Sequence, residues 1–291
     1  MLSSLAQVLL SGLQIGCIYA LMALGYFVIL RATGILNFAQ GEWMMISGVL
    51  GVVLIAFGVP YYLALLAAIA GAVLLALAAE RAIIRPLQAR GAPQPIVLLS
   101  LFGTMLVARY GTGVLFGRQD LPLDGPAGSG ITIIGEANFI ANQTLVVYAI
   151  TAAAFFGVAI FMTRTWLGRS LRVASIDPLA ASLIGVDLTR VRVVSFGLGA
   201  LIAATCGWLY FPLYAVGYLN GSIPGIKGFI ALFVGGMATT MGPLAGGLAL
   251  GLVEVAASFY LPSIYAEGAA FVLLMIILVA KPSGLTGGKE S

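Results

Sequence analysis

The chain is 291 residues long, 61% hydrophobic and only 8% charged, with a formal net charge of +4. A soluble domain carries about 25% charged residues, so core burial cannot account for this composition and lipid must be the solvent for most of the surface. The basic residues are scattered through short connections rather than clustered on a face, which excludes nucleic acid as the partner, and the absence of histidine excludes histidine general-base chemistry and most zinc sites.

A helix that crosses a membrane needs about 20 apolar residues. The first apolar run, 5–30, lacks the basic flank of a signal peptide and outlasts its short apolar stretch, so a retained span is expected. The second, 34–58, opens with "GILNFAQGEWMMISG" (34–48), where Asn37, Gln40 and Glu42 interrupt the hydrocarbon. On a continuous helix Gly34, Asn37, Gly41, Met44, Gly48 and Gly51 share one face, with Gln40 at its edge and Glu42 pointing elsewhere. Lipid leaves polar groups unsatisfied, so a small polar face belongs in a bundle interior or along an aqueous path. Asn37, Gln40 and Glu42 are therefore candidates for lining a solute path. The alternatives are hydrogen bonding to neighbouring helices, a place at headgroup depth after Arg31, and for Glu42 a structural ion pair with Arg109. A break near Gly34 or Gly41 would add free N–H donors.

The remaining runs are 60–80, 95–116, 143–162, 193–216, 227–241, 243–262 and 266–280. Residues 227–241 and 266–280 are short for a crossing, so one of them is expected to be broken or re-entrant. The fold class expected is an all-α polytopic membrane protein: one transmembrane domain over 1–291, a bundle of about eight to nine helices. Gly12/Gly16, Gly113/Gly117, Gly242/Gly246 and Gly247/Gly251 are spaced for close helix approach. Cys17 and Cys206 lie in apolar runs without metal-ligand spacing and are expected to be buried small hydrophobes.

Charge sets the orientation. Let alternate connections face the cytoplasm: Arg31, 81–94, 163–192 and the tail from Lys281. They then hold Arg31, Arg81, Arg85, Arg90, Arg164, Arg169, Arg172, Arg190, Arg192, Lys281 and Lys289, 11 of the 14 basic residues. The other side holds Arg118 and Lys227 with Asp120, Asp124, Glu136 and Glu267. The positive-inside rule then puts the N-terminus outside and the C-terminus inside.

The loop "RTWLGRSLRVASIDPLAASLIGVDLTRVR" (164–192) contains a cap, Asp177, a first-turn Pro178 and a stop, Gly185. A short helix is expected within 177–187, bearing Leu179, Ala180, Ala181, Leu183 and Ile184. It is too short to stand alone and too apolar to lie exposed without purpose, so it packs on its own bundle or docks a partner.

This loop resembles the cytoplasmic coupling motif of bacterial ABC importer permeases (Glu-Ala-Ala, three residues, Gly). Ala180, Ala181 and Gly185 are in register, but Leu179 stands in place of the glutamate. "GILNFAQGEWMMISG", "RTWLGRSLRVASIDPLAASLIGVDLTRV", "KGFIALFVGGMATTMGPLAGGLALGLVE" and the closing "KPSGLTG" together resemble the permease family of branched-chain amino-acid importers, in the same order from about Gly12 to Gly287. The resemblance implies an inner-membrane subunit with three kinds of partner: a second, related permease, two cytoplasmic ATPase subunits and a periplasmic solute-binding protein. It implies that the 177–187 helix, with Asp177, Pro178, Ala180, Ala181 and Gly185, couples to the ATPases. It also implies that ATP and magnesium are bound there, with no cofactor and no catalytic residue on this chain. The nearest thing to a nucleotide loop, "SGLTGGKES", has Ser283 for the first required glycine and Glu290 after Lys289, and is no Walker A site. Leucine, isoleucine or valine is the implied solute; relatives of this type also serve urea and short amides. Two other classes compete with this one. An ion-coupled transporter would need core carboxylates, for which Glu42 and Glu254 are available. An intramembrane enzyme has no Ser-Lys pair or paired core aspartates to work with.

Overall fold

A computed structural model of the chain describes residues 2–128, 130–134, 138–260 and 262–287. Glu136 and Lys289, counted above in the charge asymmetry, lie outside the described residues, as does the Gly-Lys-Glu-Ser end of the rejected nucleotide loop. In chain order the helices are α1 (Leu2–Thr33), α2 (Gln40–Ala56), α3 (Tyr61–Ala79), which runs through a π-helical turn (Glu80–Ile84) into α4 (Arg85–Ala89), α5 (Gln94–Phe116), α6 (Asn142–Arg164), α7 (Trp166–Ile176), α8 (Pro178–Leu183), α9 (Leu188–Tyr210), α10 (Ser222–Gly235), α11 (Gly242–Tyr260) and α12 (Ser263–Ala280). A hairpin of β1 (Ile131–Ile134) antiparallel to β2 (Asn138–Ala141) interrupts them, with Ile131 opposite Ala141.

By length and composition α1, the run Tyr61–Ala89, α5, α6, α9 and α11 are able to cross a membrane; α2, α10 and Gly268–Ala280 are apolar but shorter. The all-α polytopic architecture is thus as expected, while length alone does not reach eight to nine crossings. The hairpin departs from a wholly helical chain. Its strands, rich in β-branched residues, satisfy their backbone groups on one another, which a segment between spans is free to do.

The second apolar run also differs from expectation. Gly34 adopts φ +66°, a left-handed conformation that ends α1, and α2 begins only at Gln40. Gly34 and Asn37 therefore lie outside the helix, and the continuous polar face drawn from residue 34 does not form.

The chain divides into two compact units, one of 25–123 with 157–225, the other of 1–24 with 124–156 and 226–291. In the first, α2, α3 and α9 pack on one another and α5 packs on α2. The α2–α9 contact is close because Gly48 and Gly51 lie under the Phe211 and Trp208 rings, while Gly207 lies against the Met44 carbonyl. Ile29, Ile84, Val97, Leu101 and Phe196 form a further apolar cluster there. In the other unit α1 lies on α11. Gly12 and Gly16 face Leu252 and Leu248, Gly247 faces Ala20, and Gly251 faces Gly16. Two of the four glycine pairs thus line one interface from both sides, letting backbones approach where any Cβ would intrude. Gly246 meets Ala231 and Gly235 of α10. Gly113/Gly117 is different: Gly113 faces Tyr218, but Gly117, at φ +96°, terminates α5, and a Cβ there would meet none of the described residues within 4 Å.

Candidate functional site

The turn between α1 and α2 buries its amides completely. Asn37 Oδ1 accepts the Ala39 N–H at 3.2 Å, and its Nδ2 donates to Gln40 Oε1 at 3.4 Å. Gln40 Nε2 in turn donates to the Gly199 carbonyl of α9 at 2.7 Å. Asn37 thereby supplies a local turn in place of helix, and Gln40 ties the first residue of α2 to its neighbour. Close behind, Gly41 touches Gly221 and Gly225 at the start of α10.

Two residues on from Gln40, Glu42 meets the partner proposed for it. Its Oε1 accepts from Arg109 Nη2 at 2.6 Å and Nε at 3.1 Å, with Glu42 1% exposed and the Arg109 side chain 16%. A carboxylate this deep persists only when paired. Its other oxygen, Oε2, has no hydrogen-bond partner among the described residues.

A second buried pair escaped the sequence reading, which placed Lys227 in an outer connection. Lys227 lies inside α10 because that helix starts five residues earlier than expected, at Ser222 with Pro224 in its first turn. Its Nζ donates to Glu254 Oε1 of α11 at 2.5 Å, where the Tyr19 hydroxyl also donates at 3.2 Å. The signal was present: a lysine and a glutamate in adjacent apolar runs have few other places to go. A third pair, Arg192 Nε to Glu80 Oε1 at 2.5 Å, with Gln88 also bound by Arg192, joins the start of α9 to the π turn.

The 163–192 segment holds two helices, not one. α7 buries Gly168, Ser170, Leu171 and Ala174 on one face. α8 is shorter than 177–187. Asp177 Oδ1 caps it by accepting the Leu179 and Ala180 N–H groups at 2.9 and 3.0 Å, Pro178 opens it, and Gly185 at φ +85° follows its end. Asp187 then caps α9 in the same way. Ala181 is fully buried and anchors α8 to its own unit, whereas Leu179, Leu183 and Ile184 are 73%, 82% and 71% exposed. The outward surface is therefore built from the large aliphatics, with Ala180 and Gly185 beside them.

Long apolar helices with ion pairs closed between them define a polytopic helical membrane protein. The family model of the branched-chain amino acid transport system permease component matches residues 8–280. The high-affinity branched-chain amino acid transport system permease protein LivH of Escherichia coli (strain K12) is 32% identical over 300 residues, 98% of this chain and 96% of that protein. Its counterpart BraD of Pseudomonas aeruginosa is 30% identical over 304 residues, again 98% and 96%. Among solved structures, PsaBC from Streptococcus pneumoniae in complex with Fab has a similar fold, with a TM-score of 0.52 at 14% identity over 96% of this chain and 92% of that one. The chain belongs to the branched-chain amino acid transport permease family, as a permease subunit of an ABC importer.

Proposed function

We propose that this chain and a second, related permease together form the path by which branched-chain amino acids enter the cell. Two cytoplasmic ATPase subunits, holding ATP and magnesium, drive the cycle, and a periplasmic binding protein delivers the solute. The observation that carries the reading is α8: a capped, anchored helix that presents Leu179, Leu183 and Ile184 to the outside with nothing of its own unit over them. Such a surface suits docking, since a monomer gains nothing by exposing it. The solute follows from the LivH and BraD likeness.

In this reading α2, α10 and α12 complete nine crossings, with the N-terminus periplasmic and the C-terminus cytoplasmic. Supporting the orientation, Gln94 Nε2 bonds the Gly34 carbonyl at 3.0 Å and Arg192 bonds Glu80 and Gln88, so the segments bearing Arg31, Arg81, Arg85, Arg90, Arg190 and Arg192 gather at one end of their unit. Asn37, Gln40 and Glu42 hold the wall of the path in shape: Asn37 Oδ1 is engaged with Ala39, Gln40 Nε2 with Gly199 and Glu42 Oε1 with Arg109, while Glu42 Oε2 is left without a partner among the described residues. Ion coupling is disfavoured for a related reason: Glu42 and Glu254, the carboxylates it would use, are each held by a fixed cation.

The test is reconstitution. Leucine uptake should require the ATPase pair, ATP and the binding protein, and a cytoplasm-specific reporter near Ala92 should be active while one at Pro122 is silent. Uptake driven by a proton or sodium gradient without ATPases would overturn the mechanism; the reverse reporter pattern would overturn the orientation.

A further inference from the structure

α10 is short for a helix among membrane spans. Its 14 residues rise about 21 Å at 1.5 Å per residue, against a hydrocarbon core about 30 Å thick. Its carbonyl end is also enclosed, with Val234, Gly235 and Gly236 all buried. The last carbonyls of a helix lack intrahelical donors, and where water is excluded the protein has to supply them. The Gly236 N–H closes the Leu232 carbonyl at 2.9 Å, as any next residue of the helix would. The Val234 and Gly235 carbonyls are met instead from beyond α12. Leu285 N–H donates to the Val234 carbonyl at 2.9 Å. Thr286 donates twice to the Gly235 carbonyl, through its N–H at 3.0 Å and its hydroxyl at 2.8 Å.

The segment that brings these donors is seated, not draped. Gly284 lies backbone to backbone on Gly236, and the Thr286 hydroxyl lies against Gly242, the first residue of α11. Lys281 Nζ turns back to the Leu285 carbonyl at 2.7 Å and closes the segment on itself. Thr239, in the turn between α10 and α11, donates from its hydroxyl to that of Thr286 at 3.5 Å. Residues 281–287 thus grip the end of α10, the turn and the start of α11, while the chain attaches them to α12. All of these contacts lie within one unit.

We propose that residues 281–287 are a strap: they end α10 inside the apolar layer and fasten the α10–α11 turn to α12, so that the turn opens only when the strap leaves. The inference goes beyond the transport reading and does not depend on the solute, the ATPases or the orientation. Local opening has its own free energy, below that of the whole fold, and amide exchange reads it segment by segment.

Hydrogen–deuterium exchange of the full-length permease in lipid nanodiscs tests it. Gly284→Val puts a Cβ 2.5 Å from the Gly236 backbone, at a φ of +76° that valine disfavours, and deletes no donor. It should speed exchange over 236–242 roughly tenfold and leave 248–256, further along α11, unchanged. Thr286→Val, which keeps the N–H and loses only the hydroxyl, should give roughly a threefold rise, and Thr286→Ser should restore the wild-type rate. This gentler pair carries the test if Gly284→Val does not accumulate. In a Thr239→Cys/Thr286→Cys protein the oxidised form should exchange 236–242 at least about tenfold more slowly than the reduced form. Unchanged exchange over 236–242 in the valine variants overturns the strap, as does an equal rise over 248–256, which would make the segment part of the global fold. Failure of the cysteine pair to oxidise, or equal exchange in its two forms, would show that the turn opens without the segment and overturns it as well.

Discussion

Replacing Arg109 with leucine would strand the Glu42 carboxylate in a place where it is 1% exposed. At the observed 2.6 Å and an effective dielectric of about 20, the attraction between the two groups is about 6 kcal/mol. Removing both charges from water costs several kcal/mol per ion, so the intact pair contributes little net stability. Removing one partner is different, because the desolvation of the other remains uncompensated at about 3–5 kcal/mol. The effect is asymmetric. Arg109 is 16% exposed on a long stem and, once freed, can extend toward water, so Glu42→Leu should cost less than Arg109→Leu. The double variant Glu42→Leu/Arg109→Leu should return to within about 1 kcal/mol of the wild type, leaving a coupling of at least about 2 kcal/mol. Thermal unfolding of the full chain in detergent reads this out: a fall on the order of 10 °C for Arg109→Leu and most of it recovered in the double variant. A double variant as unstable as the sum of the two singles would refute the reasoning.

Four further outcomes follow from contacts already described. Gly251→Leu should prevent α1 from seating on α11, because a Cβ there runs into the Gly16 backbone, and the chain should fail to accumulate in the membrane; Gly157→Leu, open at its Cβ, should accumulate normally in the same immunoblot. Leu183→Glu should leave the melting temperature unchanged and abolish copurification of the ATPases; retained copurification would mean α8 is no docking surface. Asp177→Ala should weaken that copurification partially, removing a cap worth about 1 kcal/mol, with Asp177→Asn restoring it. Gln40→Leu should destabilise the fold by about 1–3 kcal/mol, because it removes the tie to the Gly199 carbonyl and leaves the buried Asn37 Nδ2 without its acceptor. A companion Gln40→Cys should stay protected from a small polar thiol reagent, and labelling would instead place water at that face.

Much of this was legible in the chain itself, and what was not has local causes. Apolar runs located the long helices because lipid permits little else. The Glu42–Arg109 pair was accessible for the same reason, since a charge at that depth has to be answered. The polar face through Asn37 was misdrawn because one glycine with positive φ at residue 34 ends the helix, and periodicity carries no sign of φ. Lys227 was misplaced by a boundary error of five residues, which in a short helix is enough to move a buried lysine into a loop. α7 was passed over because its buried small residues, Gly168 and Ser170, do not look apolar in a hydropathy window. Ala181 looked like part of a docking surface on composition, and only packing shows that it faces inward while Leu183 faces out.

The two buried pairs, Glu42 with Arg109 and Lys227 with Glu254, also have an electrical consequence. A lone elementary charge carried across a membrane responds to the potential by about 2.3 kcal/mol per 100 mV. Each pair moves as a neutral body whose opposite charges are 2.6 or 2.5 Å apart. Against a core about 30 Å thick, even a complete reversal of such a dipole would couple to the field by only about 0.4 kcal/mol per 100 mV. Helices bearing these charges can therefore shift during a transport cycle without sensing the voltage across the membrane, which keeps the timing of each stroke independent of how energised that membrane is.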